Sequence, residues 1–402
     1  MTDSYHPPRE ILENYAKVLV NFALNSGKGI KKGEVVRLMV NESAKPLYVA
    51  LRNQILRSGG HVITSFIPES TDRDFFELAN DSQLKFFPQK YLHGLADDID
   101  HSIGIISESD KHELEGIDPQ KIMLAQKSKK PFRDWLDTKE NSGKFTWTLA
   151  LYGTPAMAKE AGMSETEYWD QIIKACFLDE RDPIAKWKEV FRQNSQILKQ
   201  INLLPIDKLH ILGEDVDLWV TIGKNRKWLG GSGRNIPSFE VFTSPDWRGT
   251  NGWINFNQPL YRYGNLITDI KLRFKNGLVV ESSASKNYSV LKSMLEVENA
   301  DKIGEFSLTD KRLSRIDKFM AETLFDENIS GPYGNTHLAL GTAYDDTYTG
   351  NLKKLTKNLK TKLGFNNSAI HTDIISTTER TVTAFMSDGS QKIIYQGGTF
   401  TL

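Results

Sequence analysis

The residues best suited to chemistry lie near the C-terminus, in the short segment His371-Thr-Asp373. Alternate residues of an extended strand project to the same face, so this segment would present an imidazole and a carboxylate to one point. These two groups are a common donor set for first-row divalent metals. His337 is the only other histidine beyond His210. The alternative interpretation is a solvent-exposed His-Thr-Asp on an ordinary strand.

Acidic residues occur in the same half of the chain, within apolar or small-residue segments. Glu240 lies between phenylalanine and valine, Glu305 follows a glycine, and Glu327 precedes a Gly-Pro-Tyr-Gly loop that leads to His337. A glycine beside an acidic residue indicates a close approach of the backbone to another group. Each carboxylate alone also fits a solvent-exposed position. Together with two imidazoles, they are what a two-metal hydrolytic site requires.

The charge balance and the cysteine count exclude several kinds of partner and site. The 402 residues include 51 Lys and Arg and 51 Asp and Glu, which gives a net charge of zero. A nucleic-acid or anionic-membrane partner is therefore not expected, because binding to either needs a basic surplus. Cys176 is the only cysteine. Disulfides within the chain and thiolate metal clusters are excluded, so any metal must be held by oxygen and imidazole donors.

Further features of the sequence predict a cytoplasmic protein with no membrane partner. The segment Met1 to Pro8 lacks the basic and apolar regions of a signal peptide. No window approaches the ~18 apolar residues of a membrane span. A single cysteine fits a reducing compartment.

The first half of the chain alternates strand and helix patterns, which predicts an α/β domain with a mainly parallel sheet. No G-x-G-x-x-G follows a strand and no Walker-type loop is present, so a nucleotide site is not predicted. The predicted strands are Glu34 to Val40, His61 to Ile67, Ile103 to Ile106 and Phe145 to Leu151; the predicted helices are Ile11 to Leu24, Ala44 to Leu56, Asp72 to Leu78 and, with breaks at Gly162 and Asp182-Pro183, Pro155 to Leu204.

Beyond Asp207 strands dominate, which predicts a C-terminal α+β domain rich in antiparallel strands. Hairpins are expected at Asn276-Gly277 and Asp388-Gly389. We place the domain boundary near residue 205, between an α/β domain of residues 1–205 and a metal-binding catalytic domain of residues 206–402. The predicted strands are Lys208 to Leu212, Asp217 to Ile222, Ser238 to Thr243 and Gly252 to Phe256; the predicted helices are Asn287 to Asn299, Arg312 to Leu324 and Asn351 to Leu363.

Ordered motifs along the chain carry a resemblance to a known family. In the second half these are Asn235-Ile-Pro-Ser-Phe-Glu-Val-Phe-Thr-Ser-Pro245, Ile303-Gly-Glu305, Asn335-Thr-His-Leu-Ala-Leu-Gly-Thr-Ala-Tyr344 and His371-Thr-Asp373. In the first half they are Leu12-Glu-Asn-Tyr-Ala-Lys-Val-Leu-Val20, Tyr152-Gly-Thr-Pro155 and Asp182-Pro-Ile-Ala-Lys-Trp187. The chain resembles the leucyl aminopeptidase T and aminopeptidase S family of dinuclear metallo-aminopeptidases over nearly its full length.

The resemblance implies a ligand set, two ions and a substrate class. Two divalent ions (Zn, Co, Mn or Mg) would bind, with Glu305 as the bridge, and Tyr344 matches the active-site tyrosine of the family. Glu327 corresponds to a family glutamate that lies closer to the histidine, so its role as ligand or general base stays open. The family also implies peptide substrates with a free N-terminus and a homodimer. The matched metal ligands are Glu240, Glu305, Glu327, His337, His371 and Asp373.

One departure and two alternative functions remain. Phe239 stands where many family members have glycine, and a ring at this position would narrow the pocket or alter the substrate preference while leaving Glu240 in place as a ligand. The donor set would also suit another dinuclear metallohydrolase, such as an amidohydrolase or a phosphoesterase. A non-catalytic peptide-binding protein is the other alternative, and without the resemblance Tyr344 would be interpreted as a packing aromatic.

Overall fold

The computed structural model describes residues 5–262 and 264–402, so the first four residues of the amino-terminal stretch lie outside it. The chain separates into two compact units. The first comprises the residues up to Lys186 together with Ser232–Pro237, and the second comprises Trp187–Gly231 and Ser238–Leu402. The division into domains of residues 1–205 and 206–402 stays a prediction. Within the described residues, no helix is both long enough and apolar enough to cross a membrane.

The first unit contains the predicted parallel sheet. Its strands are β1 (Val35–Asn41), β2 (His61–Ile67), β3 (His101–Ile106), β4 (Thr146–Leu151) and β7 (Asn235–Ile236). They lie in the order β2-β1-β3-β4-β7, and every pairing is parallel. Parallel neighbours require crossover connections, and helices supply them. All four strands predicted in this half are present.

The helices of this half follow the predicted pattern. Both predicted breaks are confirmed. One helix ends at Glu160, two residues before Gly162. Another helix begins at Pro183, and the Asp182 carboxylate directly before it accepts a hydrogen bond from the Ala185 N–H at 3.0 Å. The helices are α1 (Arg9–Val18), α2 (Leu24–Gly27), α3 (Lys45–Arg57), α4 (Asp72–Leu78), α5 (Asp81–Leu84), α6 (Gln89–Asp98), α7 (Pro119–Ser128), α8 (Lys130–Asn141), α9 (Pro155–Glu160), α10 (Glu165–Ala175) and α11 (Pro183–Ile201), with a π-helix at Leu19–Ala23 and a 3₁₀ turn at Glu42–Ala44.

The second unit is built on antiparallel strands, as predicted. Its largest sheet has the order β13-β12-β9-β6-β5-β17-β18-β19. Both predicted hairpins are found, with Asn276 and Gly277 at φ 52° and 84° between β12 and β13. The strands are β5 (Ile206–Gly213), β6 (Val216–Thr221), β9 (Asp246–Asn255), β12 (Lys271–Lys275), β13 (Leu278–Ser283), β17 (Thr381–Met386), β18 (Gln391–Gln396) and β19 (Thr399–Phe400), with a separate ribbon of β10 (Leu260–Arg262) and β11 (Asn265–Ile267).

A four-stranded antiparallel sheet, here called the site sheet, completes this unit. It has the order β16-β15-β14-β8 and consists of β8 (Glu240–Thr243), β14 (Ile303–Thr309), β15 (Asn335–Gly341) and β16 (His371–Ser376). Every residue of β14 and β15 is buried. Apolar side chains at alternate positions, such as Phe306, Leu308 and Leu338, join one core with Leu218 and Ile254 of the large sheet. The other face of the site sheet is therefore left for the polar residues between them.

The predicted helix from Arg312 to Leu324 is wrong. This segment is irregular, and only Thr323–Asp326 is helical (α13). Side chains replace the helical hydrogen bonds: the Asp310 carboxylate accepts from the backbone and guanidinium of Arg312, and Asp326 accepts from the Met320 N–H at 2.6 Å. Such side-chain bonds to the backbone compete with helix formation. The other two predicted helices are shorter than expected: α12 is Tyr288–Leu295, and a 3₁₀ turn at Leu352–Lys354 precedes α14 (Lys357–Leu363).

Candidate metal centre

Strand alternation and register bring the predicted ligands onto one face of the site sheet. Glu305 and Asp373 both pair with Ala339 of the strand between them, from opposite sides. His371 is two residues before Asp373, and His337 is two residues before Ala339, so their side chains share that face. Glu240 begins the edge strand on the other side of β14. Four separate strands thus contribute to one cluster.

The cluster forms two donor groups that share one carboxylate. The first contains Glu240, Glu305 and His337, and the second contains Glu305, His371 and Asp373. His337 Nε2 lies 3.4 Å from Glu305 Oε1 and 3.5 Å from Glu240 Oε2. His371 Nε2 lies 3.4 Å from Glu305 Oε2 and 3.3 Å from Asp373 Oδ1. The two oxygens of Glu305 therefore face different histidines.

The ionisable groups of the cluster are close together and buried, and this shifts their pKa values. Burial raises the pKa of Glu240 to about 7, and the Glu305 carboxylate adds to the increase. Burial also opposes the charged form of Asp373, but the His371 imidazole lowers the pKa of Asp373 to about 2. Burial alone would lower the pKa of His371, yet Asp373 and Glu305 raise it well above its usual value. A cation among these carboxylates would relieve their mutual repulsion.

The surroundings of His371 leave its Nε2 available as a ligand. Its Nδ1 lies 2.8 Å from the carbonyl oxygen of Thr342. A carbonyl only accepts, so Nδ1 carries a proton, and Nε2 is directed toward the carboxylates, where a bound cation would replace its proton. A ligating histidine usually donates its second N–H in this way. The donor set and this hydrogen bond both fit divalent metal ions.

Gly304 explains how the chain reaches this geometry. The register shifts between Ile303 and Glu305, so the strand has an irregularity where the shared carboxylate begins. A β-carbon at Gly304 would collide with the backbone oxygens of Gly341 and Thr342. The close backbone approach predicted from the glycine is therefore present, and it involves the residue whose carbonyl accepts from His371.

Tyr344 lies beside the second donor group. Its ring centroid is 4.8 Å from that of His371 and 5.6 Å from that of Phe242, and its backbone N–H donates to Ser244 Oγ at 2.8 Å. Desolvation raises the pKa of Tyr344 well above its usual value, and nearby carboxylates, first Glu305, add to the increase. The residue is still 39% accessible. These features fit a neutral hydroxyl beside the second donor group that can donate a hydrogen bond.

Glu327 lies next to the cluster but in neither donor group found among the described residues. It is buried, follows the last residue of α13, and is close enough for its charge to raise the pKa of Tyr344. Its neighbour Asn328 accepts a hydrogen bond from the Phe239 backbone N–H at 2.7 Å. The segment that carries Glu327 is therefore tied to the start of β8, directly before Glu240.

Phe239 is buried away from the cluster, so its ring does not narrow the site beside Glu240, which is one of the two effects considered from the sequence. Its side chain is fully buried, and its ring stacks on Trp187 with centroids 5.4 Å apart and planes 13° from parallel. Consecutive residues of an extended chain point in opposite directions, so the ring turns away when the Glu240 carboxylate faces the cluster.

Sequence reasoning missed three residues that position the site. Thr342 acts through its backbone carbonyl, so its side chain carries no signal. Ser244 holds the backbone of Tyr344, and Asn328 holds that of Phe239. Asn328 stands directly after Glu327, and its position beside a candidate catalytic residue is the one signal that could have identified it.

The two donor groups fit a metal-dependent enzyme, and comparison with known proteins gives the family. The model of the thermophilic metalloprotease family (M29) matches residues 9–400, and the chain belongs to this family. The resemblance stated from the motifs is thereby confirmed.

Curated relatives cover almost the whole chain. Aminopeptidase PepS of Streptococcus thermophilus is 27% identical, with 98% of each chain covered. Aminopeptidase T of Thermus thermophilus is 28% identical, covering 96% of this chain and 98% of the relative. A solved structure, wild-type AmpT from Thermus thermophilus, is similar with a TM-score of 0.84 and 25% identity over 98% of this chain and 100% of that chain.

Proposed function

We propose that this chain removes N-terminal residues from peptides by hydrolysis, using two divalent metal ions held by Glu240, Glu305, His337, His371 and Asp373. The family and the curated relatives make the chain a metallo-aminopeptidase. The single observation that supports the two-ion site is the shared carboxylate, because Glu305 directs one oxygen toward each histidine. A bridging carboxylate is the simplest way to hold two cations close together.

When bound, the two ions would supply a nucleophilic water at neutral pH and would polarise the scissile carbonyl. Tyr344 would donate a hydrogen bond to the oxyanion that develops during attack, because its raised pKa keeps the hydroxyl protonated. Glu327 would act as the general base and pass the proton to the leaving amine. Its buried position outside both donor groups favours this role over that of a ligand.

The proposal also covers the identity of the metal, the substrate terminus, the oligomeric state and the cellular location, which family membership alone does not establish. The donors accept Zn, Co, Mn or Mg, so supply and geometry select the ion. The free α-amine of a peptide would bind within the carboxylate-rich cluster, so the substrate needs an unblocked N-terminus. We also propose a homodimer and a cytoplasmic location, the first from the family resemblance and the second from the single cysteine of the sequence, which fits a reducing compartment.

Metal removal and readdition test the proposed activity. Treatment with EDTA should abolish release of the chromophore from a leucine anilide, and Co²⁺, Zn²⁺ or Mn²⁺ should restore it. Full activity in demonstrably metal-free protein would overturn the mechanism.

Substrate variants separate this function from the two alternatives. An N-acetylated peptide should resist cleavage, whereas equal hydrolysis of the capped and free peptides would indicate an endopeptidase or amidohydrolase. Turnover of nitrophenyl phosphate would indicate a phosphoesterase. A chain that binds peptides with both ions loaded and never releases a product would be a binding protein.

A further inference from the structure

Arg226 connects three separate backbone segments of the second unit. Each of its three guanidinium nitrogens donates to a carbonyl oxygen: Nε to that of Ser244 at 2.6 Å, Nη1 to that of Lys224 at 2.9 Å, and Nη2 to that of Leu363 at 2.9 Å. A planar guanidinium holds its donors in a fixed fork, so the carbonyls that it binds are fixed relative to one another.

Packing holds the guanidinium in this orientation. Its carbon Cζ lies 3.4 Å from the ring centroid of Phe365, which is itself buried. A guanidinium over an aromatic face is a favourable contact with a defined geometry. Burial lowers the pKa of Arg226 to about 10, so the group is still charged at neutral pH. The three carbonyl oxygens satisfy the hydrogen-bonding groups of this partly desolvated charge.

One of the three segments leads directly to the candidate oxyanion donor. Ser244 is fully buried and directly follows β8. Its carbonyl accepts from Arg226, and its hydroxyl accepts from the backbone N–H of Tyr344 at 2.8 Å. Arg226 therefore holds the residue that in turn holds the Tyr344 backbone.

A second connection reaches the other side of Tyr344. The backbone of Arg226 forms an antiparallel bridge with Tyr348, and the next residue, Lys227, donates its N–H to the Thr347 carbonyl at 2.8 Å. The Thr347 hydroxyl donates to the Tyr344 carbonyl at 2.8 Å. Both the N–H and the carbonyl of Tyr344 are thus held by residues that are connected to Arg226.

We propose that Arg226 is a positioning residue for Tyr344 and sets, through Ser244 and Thr347, where the tyrosine hydroxyl meets the developing oxyanion. This inference rests on the proposed function, because it takes Tyr344 as the oxyanion donor. The hydroxyl lies at the far end of the side chain, so a shift of the backbone displaces it. A misplacement of ~1 Å can cost about 10²-fold in rate.

The test compares Arg226→Met with Arg248→Met in the full-length, metal-loaded protein. Methionine keeps an apolar chain against Phe365 and removes all three donors. Arg248 is the matched control, because it also donates to a carbonyl near the end of α14, that of Lys362 at 3.1 Å, while its other hydrogen bonds go to Asp246. Arg226→Met should lower kcat about 10–100-fold with KM and metal content nearly unchanged. Arg248→Met should change none of these.

A double-mutant cycle with Tyr344→Phe separates positioning from a general loss of structure. If Arg226 acts through the tyrosine hydroxyl, Arg226→Met should lower kcat by no more than about twofold once that hydroxyl is absent. An equal fold-loss in the wild-type and Tyr344→Phe backgrounds would overturn the inference, and so would a wild-type kcat in Arg226→Met.

Hydrogen exchange followed by mass spectrometry gives a readout that does not depend on turnover. The peptide that contains the Tyr344 amide should exchange faster in Arg226→Met and at the wild-type rate in Arg248→Met. If Arg226→Met does not fold, Ser244→Ala takes its place, because it removes the acceptor of the same N–H; its loss of kcat should also vanish in the Tyr344→Phe background. Wild-type protein that hydrolyses no peptide would instead overturn the proposed function.

Discussion

Replacing Tyr344 with phenylalanine is the sharpest test of the catalytic assignment. The substitution removes one hydroxyl and keeps the ring, so the contacts with His371 at 4.8 Å and Phe242 at 5.6 Å should persist. Both donor groups should then stay intact. Loss of one oxyanion donor typically lowers kcat by about 10²–10³, or ~2.7–4 kcal/mol of transition-state stabilisation. The loss should fall on kcat with KM nearly unchanged, because the interaction forms in the transition state.

The assay is steady-state hydrolysis of a leucine anilide, with bound metal measured on the same sample. The raised pKa of Tyr344 adds a second expectation, that no activity is lost to ionisation of this hydroxyl between neutral pH and the ordinary tyrosine pKa of 10.0. A kcat within a fewfold of wild type would refute the oxyanion role. A large loss accompanied by loss of metal would show that the hydroxyl contributes to metal binding rather than to stabilisation of the oxyanion.

Three further predictions concern the shared ligand, the core behind it and the parallel sheet. Glu305→Gln should reduce metal at both donor groups, whereas His371→Ala should release mainly one ion; equal stoichiometry by elemental analysis would argue against a bridge. Phe239→Ala should lower the free energy of unfolding by ~3–5 kcal/mol, because the ring is fully buried. The metal content should stay unchanged, and Phe239→Leu is the milder control. Loss of metal at normal stability would contradict this placement of Phe239. Burial opposes the charge on Glu34, but hydrogen bonds from the Lys31 N–H and the His101 imidazole lower its pKa. Its stabilisation is therefore present above pH 4.5 and lost as the pH falls through the lowered pKa, so Glu34→Gln should lower Tm at pH ~7 and converge with wild type in acid; a constant offset would refute the linkage.

Much of the fold could be predicted because its local patterns are strong. Short apolar segments between helical patterns identified the strands of the parallel sheet, and Asn276-Gly277 identified a hairpin, since both signals act over a few residues. The segment after Asp310 could not be predicted in the same way. Its sequence has helical spacing, but the Asp310 and Asp326 carboxylates take up its backbone N–H groups instead. Asp326 follows Met320 by six residues in the sequence, so a short pattern around Met320 does not reveal that this carboxylate accepts from its N–H.

The candidate site shows the same limit. Residue types and the i, i+2 spacing identified His371 and Asp373 as a pair, and the family motifs supplied the other ligands. The packing of Phe239 could not be foreseen, because its contact with Trp187 joins residues that are far apart in the chain. The sequence likewise offered no sign that the Thr342 carbonyl holds His371, since any residue could supply that oxygen.

The sequence by itself determined the chemistry available to this protein: carboxylate and imidazole donors, one cysteine, and strands that alternate polar and apolar residues. Those properties belong to single residues and short segments, so no folding is needed to see them. Only the tertiary structure decided that Glu305 faces both histidines, that Glu327 lies outside both donor groups, and that Ser307 stands opposite His337. Each of these depends on the register of strands far apart in the chain, and register is set by the packing of the shared core.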